Sequence, residues 1–351
     1  MNLKSLRLRE ALRLTVRTLP IMAVRLGVYM AFWFVTLVYL GLTGGIAYLV
    51  AQAVPAIGVI LFLVALAGIS PLYKLAKRYI LYLVKAAHVA VVSELLVSGD
   101  LPEGVNQLDW GKERVQERFG EASAMFVVDE LVSGVVRAFT RAVYSFASMI
   151  PGDTFQNLAR VVERVIRFGL NYVDEAILAR TFWRRDKSVW GGARDGVVLY
   201  GMVWKQLLVN AVALMLLSYI PFVLAFIIFA APIGALTALI SPTLAGWSII
   251  ATFVLAFLVK VALGDGFAMT AMIATYYHET KNLEPDPQIA AKLEQVSDKF
   301  RDLTERAREE ANDFMVRGED AAGASATEST IEVNEFADIE ERTSPVSASE
   351  D

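Results

Sequence analysis

The chain has 351 residues, with 33 lysines and arginines against 37 acidic residues and an apolar fraction of 56%. That fraction, with a mean hydropathy of +0.48, is too high for an ordinary water-soluble domain. Cysteine is absent, which excludes disulfides, thiolate catalysis and cysteine-based metal centres.

The N-terminal segment, 1–25, is basic, with Lys4, Arg7, Arg9, Arg13, Arg17 and Arg25. It is too extended for the charged region of a signal peptide. The apolar run behind it is long enough to stay in a bilayer, so an uncleaved membrane protein is expected. Leu26–Ser70 and Gln206–Val259 contain no Asp, Glu, Lys or Arg. Each exceeds one crossing of about 20 residues and fits two crossings joined by a short turn.

The expected fold is all-α: an integral membrane protein with four transmembrane helices in two hairpins, 26–70 and 206–278. The spans fall near Leu26–Val50, Ala56–Ser70 and on past Pro71, Leu207–Ala230, and Trp247–Ala262. Breaks are expected at Gln52–Pro55 and from Ala231-Pro232 to Ser241-Pro242. The hairpin tips carry no charge, whereas the flanking segments are rich in Arg and Lys. The positive-inside rule then places both termini and the central region, 71–205, in the cytoplasm of a plasma-membrane protein.

Within that central region, Lys74, Lys77, Arg78, Lys85 and His88 share a helical face, which reads as a basic stripe toward anionic headgroups. The stripe lacks the interleaved aromatics of a nucleic-acid surface, so the bilayer is the expected partner and nucleic acid is not. From Lys112 to Ile150, Val128, Leu131, Val132, Val135 and Phe139 recur on one face, with Arg137 and Arg141 off it. A further helix over 154–182 sets Tyr172 and Ala176 opposite Arg164, Arg167 and Asp174. Periodicity leaves two uses open, an antiparallel packed pair or helices lying in the membrane interface. Trp183, Trp190 and Trp204, with Arg184 and Arg185, are expected to be lipid-interface anchors.

Past the second hairpin, segment 279–317 carries Ile289, Leu293, Val296, Phe300 and Leu303 in heptad register. A coiled-coil-like helix is expected, meeting a second copy or a partner helix through 289–314, or docking on the central helices. Segment 318–351 is acidic and poor in large apolar residues, and is expected to be a disordered tail.

No catalytic set emerges. Asp129/Glu130 and Asp174/Glu175 lie where polar helix faces need charge, and His278-Glu279 lacks the second histidine of a zinc-protease motif. Catalytic residues, metal ligands and cofactors are therefore expected to be none. Polar groups inside the spans are the remaining candidates, namely Lys260, Asp265 and Asn210. Lys260 and Asp265 stand in "LVKVALGDGFAM". Positions five apart on a regular α-helix point about 140° away from each other. A pair then requires a helix break at Gly264 and Gly266, and snorkelling of Lys260 to headgroups is the simpler expectation.

From 137 to 284 the chain reads "VVRAF", "VIRFGLNYVDEAI", "GARDGVVLY" and "GDGFAMTAMIATYYHETKNLE" in order. This resembles the C-terminal part of the choline-transporter-like family, over less than half the chain. The resemblance implies transport of an organic cation by an oligomer. Two function classes stand side by side: a small transporter or channel subunit, and a non-enzymatic membrane-organising scaffold built on amphipathic helices and a coiled coil.

Overall fold

A computed structural model describes residues 7–76, 80–120, 122–148, 172–241 and 246–312, which are almost entirely helical and contain no strand. The acidic tail and the first part of the expected 154–182 helix lie outside the described residues. The helices are α1 (Leu8–Arg17), α2 (Leu19–Ala53), α3 (Pro55–Ala76), α4 (Tyr82–Val97), α5 (Gln107–Phe119) and α6 (Ala122–Ser148), followed by α7 (172–183), α8 (Val189–Leu217), α9 (Ile220–Ile240) and α10 (Ser248–Val259). A π-helical turn (Lys260–Gly264) then leads into α11 (Asp265–Thr280), α12 (Pro287–Val296) and α13 (298–312).

Three segments are long and apolar enough to cross a membrane: Leu19–Ala53, Val189–Ile240 and Ser248–Thr280. The shorter Pro55–Pro71 is also apolar. Helix α2 begins before the charge-free stretch and takes in Arg25, with Pro20 in its first turn where a missing N–H costs nothing. Val54 is extended and Pro55 starts α3, so the chain turns there as expected. Helix α3 returns along α2. Gly58 meets Ala47 and Ala51, the Tyr39 hydroxyl donates to the Ala65 carbonyl at 3.2 Å, and Phe32 sits edge-to-face on Tyr73 at 5.5 Å.

The second apolar region departs from expectation. Pro232 lies inside a continuous α9, which ends at Ile240 with Ser241 extended, within the expected break; a further interruption comes earlier, at Ser218 and Tyr219, where α8 ends and Pro221 opens the next helix. Helix α9 then packs on α10, with Phe222 edge-to-face on Phe253 at 5.3 Å. On α2, α3, α9 and α10 the large apolar side chains point outward; Phe34 is 67% and Leu239 87% exposed. Water would penalise this arrangement by roughly 25 cal/mol per Å² of apolar surface, and hydrocarbon would not.

The other helices form a packed body. Helix α4 is buried along most of its length, His88 fully so. The basic stripe expected of this segment is therefore not a surface feature at His88 or Lys85: the former is core, and the latter is ion-paired to the buried Glu175. The segment expected as one helix from Lys112 divides at Gly120, whose φ of 67° suits glycine and ends α5. Helix α6 buries the anticipated face, Val128, Leu131, Val132 and Val135, inside the protein, and exposes Arg137 and Arg141. Packing against the body, rather than a membrane interface, takes up that stripe.

The heptad segment is two helices rather than one, and it takes the second of its expected uses, docking on the central helices. Ser297 is extended and separates α12 from α13. Leu293, Phe300 and Leu303 are buried in the same core cluster as α6 and α8. The face expected to meet another chain through 289–314 is thus largely used within this one.

Candidate functional site

The π-helical turn is the key local feature. Asp265 N–H donates to the carbonyl of Lys260, five residues back, in place of the usual four. The wider turn brings residues i and i+5 toward one face. Lys260 Nζ lies 2.6 Å from Asp265 Oδ1, and the Tyr172 hydroxyl of α7 donates to the same oxygen at 2.7 Å. Lys260 Nζ also sits 4.9 Å from the centre of the Tyr219 ring. The side chains of Lys260 and Asp265 are only 8% and 17% exposed. Lys260 does not snorkel, and the helix does not break: it stays helical through Gly264 and Gly266.

The glycines serve close packing. A Cβ on Gly264 would lie 2.0 Å from the Ser218 carbonyl oxygen, at the end of α8. A Cβ on Gly266 would lie 2.9 Å from Met22 Cε of α2. Backbone cannot yield as a methionine tip can. Gly264→Ala is therefore expected to destabilise the fold by about 1–3 kcal/mol, and Gly266→Ala by less. Unfolding in detergent checks both, and equal effects would sink the distinction.

The pair opens onto a cleft of about 730 Å³ between α2, α3, α4, α6, α7 and the π-helical turn. Small-molecule sites span roughly 300–1,000 Å³. Helix α2 supplies Arg25 and Tyr29, α4 supplies Tyr82 and Lys85, and α6 supplies Phe126 and Asp129. From α7 come Tyr172, Asp174 and Glu175. Lys85 is ion-paired with Glu175, which is 2% exposed. Ser133 donates its hydroxyl to Asp174 at 2.6 Å.

Burial and neighbouring charges shift several groups in and beside the cleft. Burial, then the neighbouring Asp174, pushes the Asp129 carboxyl up to about 7 against the pull of Lys85 and Arg137. Burial and then these same two acids raise the Tyr82 phenol. Burial and then Asp265 raise Tyr172. Beside the cleft, burial and then Arg25 lower the His88 imidazole to about 3, so it is neutral. Arg25 itself is 8% exposed, and among the described residues its Nη1 has no hydrogen-bond partner.

Of the residues singled out in the sequence, Lys260 and Asp265 are therefore brought together. Asn210 is fully buried in α8 and does not line the cleft. The expected interface anchors pack largely on protein. Trp183 lies edge-to-face on Tyr277 at 5.2 Å, Arg306 stands 5.0 Å over Trp190, and Trp204 meets Phe139 at 6.0 Å. Arg184 pairs with Asp186 and Arg185 with Glu94, each at 2.8 Å. Arg25 and the facing acids Asp129 and Asp174 were not legible as a site. Arg25 reads as one more residue of a basic leader, and the acids read as solvated helix faces.

No protein-family model, curated protein or solved structure matches the chain.

Proposed function

We propose that this chain is a multi-pass membrane protein that works as a small transporter or channel subunit, with the charged cleft as its solute site. In this reading the four spans are α2, α3, α9 and the helix from Ser248, arranged as two hairpins. The basic flanks place both termini and the helical body in the cytoplasm, and the cleft then faces the inner leaflet. The observation that carries the reading is the Lys260, Asp265 and Tyr172 network, a buried charge pair held on a π-helical turn at a cleft. Charges at such positions are expensive and are kept for ion or solute handling. The resemblance to choline-transporter-like proteins points to an organic cation.

Thr36, Thr43, Thr237 and Thr252 bond to carbonyls of their own helices. A route across the bilayer therefore runs between copies, and the working unit is an oligomer. The same observation favours the second reading, a membrane-organising scaffold that moves no solute.

Proteoliposomes separate the two, with choline, sodium and chloride as probes. Transport predicts saturable uptake of one probe that Tyr172→Phe reduces and Asp265→Ala abolishes. Vesicle reshaping with no flux of any probe would favour the scaffold.

A further inference from the structure

We infer that the cleft binds a phosphate-amine zwitterion, the chemistry of a zwitterionic phospholipid headgroup, with the phosphate on Arg25 and the ammonium between Asp129 and Asp174. This rests on reading the cleft as the ligand site, but not on transport.

The cleft is lined by charges of both signs. Two of its lysines are already matched, Lys85 by Glu175 and Lys260 by Asp265. Arg25 is not matched in this way: it is more than nine-tenths buried, lines the cleft, and its Nη1 has no hydrogen-bond partner among the described residues. A buried guanidinium is costly without acceptor oxygens, and its fork suits phosphate. The Tyr29 ring, 5.9 Å away, is the near neighbour that the structure gives it.

Elsewhere in the cleft Asp174 stands close enough to Asp129 to raise the cost of ionising it. Tyr82 and Phe126 meet edge-to-face beside them at 5.6 Å. Carboxylates next to aromatic rings form a site for an ammonium group. A cation there would offset the repulsion that Asp174 exerts on Asp129. A simple anion would satisfy Arg25 and leave the acids repelling. A simple cation would do the reverse, whereas a zwitterion satisfies both groups. The 730 Å³ of the cleft leaves room for a headgroup with its glycerol. The apolar outer faces of α2 and α3 adjoin the cleft residues Arg25, Tyr29 and Lys74, which favours lipid as the source.

The test uses the full chain in nanodiscs of phosphatidylglycerol, titrated with phosphatidylethanolamine and read by native mass spectrometry of retained lipid. Saturable retention of phosphatidylethanolamine over phosphatidylglycerol is expected, weakened about tenfold or more by Arg25→Gln and by Asp129→Asn. Arg25→Lys keeps the charge without the fork, and is expected to give an intermediate loss if Arg25→Gln fails to fold. Free glycerophosphoethanolamine that competes would support the chemistry and assign it to a soluble ligand; failure to compete beside saturable retention assigns it to lipid. Equal retention of both lipids, or retention indifferent to Asp129→Asn, overturns the inference. Retention without flux removes transport and keeps the site, and flux without retention removes the site.

Discussion

Asp265→Ala is expected to destabilise the protein by about 3 kcal/mol, because it removes the carboxylate beside a lysine whose side chain is 8% exposed and an acceptor of the Tyr172 hydroxyl. Breaking a buried pair from one side typically costs about 3–5 kcal/mol. The lower figure applies here because Asp265 retains 17% exposure. Replacing both partners by apolar residues of similar size, Lys260→Met with Asp265→Leu, is expected to recover most of the loss, to within about 1 kcal/mol of the parent chain. Denaturant unfolding of the parent, Lys260→Met, Asp265→Leu and the double variant measures the coupling. If Asp265→Ala costs less than about 1 kcal/mol, the pair is solvated and the buried-network account fails.

The second large effect is in pH. His88, neutral and buried, titrates near 3 in the fold against an ordinary 6.5. Between those values the unfolded chain binds a proton that the fold refuses. This group therefore lowers stability as pH falls through 6.5, by about 1.4 kcal/mol per pH unit. Asp129 has the opposite sign. Its folded value of about 7 lies above the ordinary 3.8, so its contribution is full below 3.8 and is lost as pH rises through 7.

The charged and titratable groups acting on Asp129 are Asp174, Glu130, Lys85 and Arg137, and Arg25 acts on His88. Between roughly pH 4.5 and 6 the two slopes cancel in the parent chain. Relative to the parent, Asp129→Asn is expected to gain stability with rising pH by about 1.4 kcal/mol per unit, and His88→Leu to lose it at about the same rate. Unfolding at pH 4.5 and 6 reads both slopes, and two parallel lines would show that neither group is buried as described.

The apolar helices were legible because a long stretch without charge has few other uses. The face of α6 was legible too, since Val128, Leu131, Val132 and Val135 recur at helical spacing. What lay beyond the sequence is tertiary. At 3.6 residues per turn Lys260 and Asp265 point apart. The π-helical turn changes that geometry, and the contact at this turn, Gly264 against the Ser218 carbonyl, joins residues far apart in the chain. Lys85 and His88 share a helical face, but one meets Glu175 and the other the core, and periodicity knows neither neighbour. The heptad register of Leu293, Phe300 and Leu303 was visible. That Ser297 turns the chain and folds this face onto α6 and α8 was not.

Under the proposed function, the charged cleft at the foot of the apolar helices handles solute and is more than a structural clasp. The Lys260→Met, Asp265→Leu double variant tests it most directly, because it removes the charges while keeping the fold. In proteoliposomes the account predicts that this variant, with an unfolding transition close to the parent's, loses uptake of whichever probe the parent carries. Undiminished uptake by the folded double variant would contradict it.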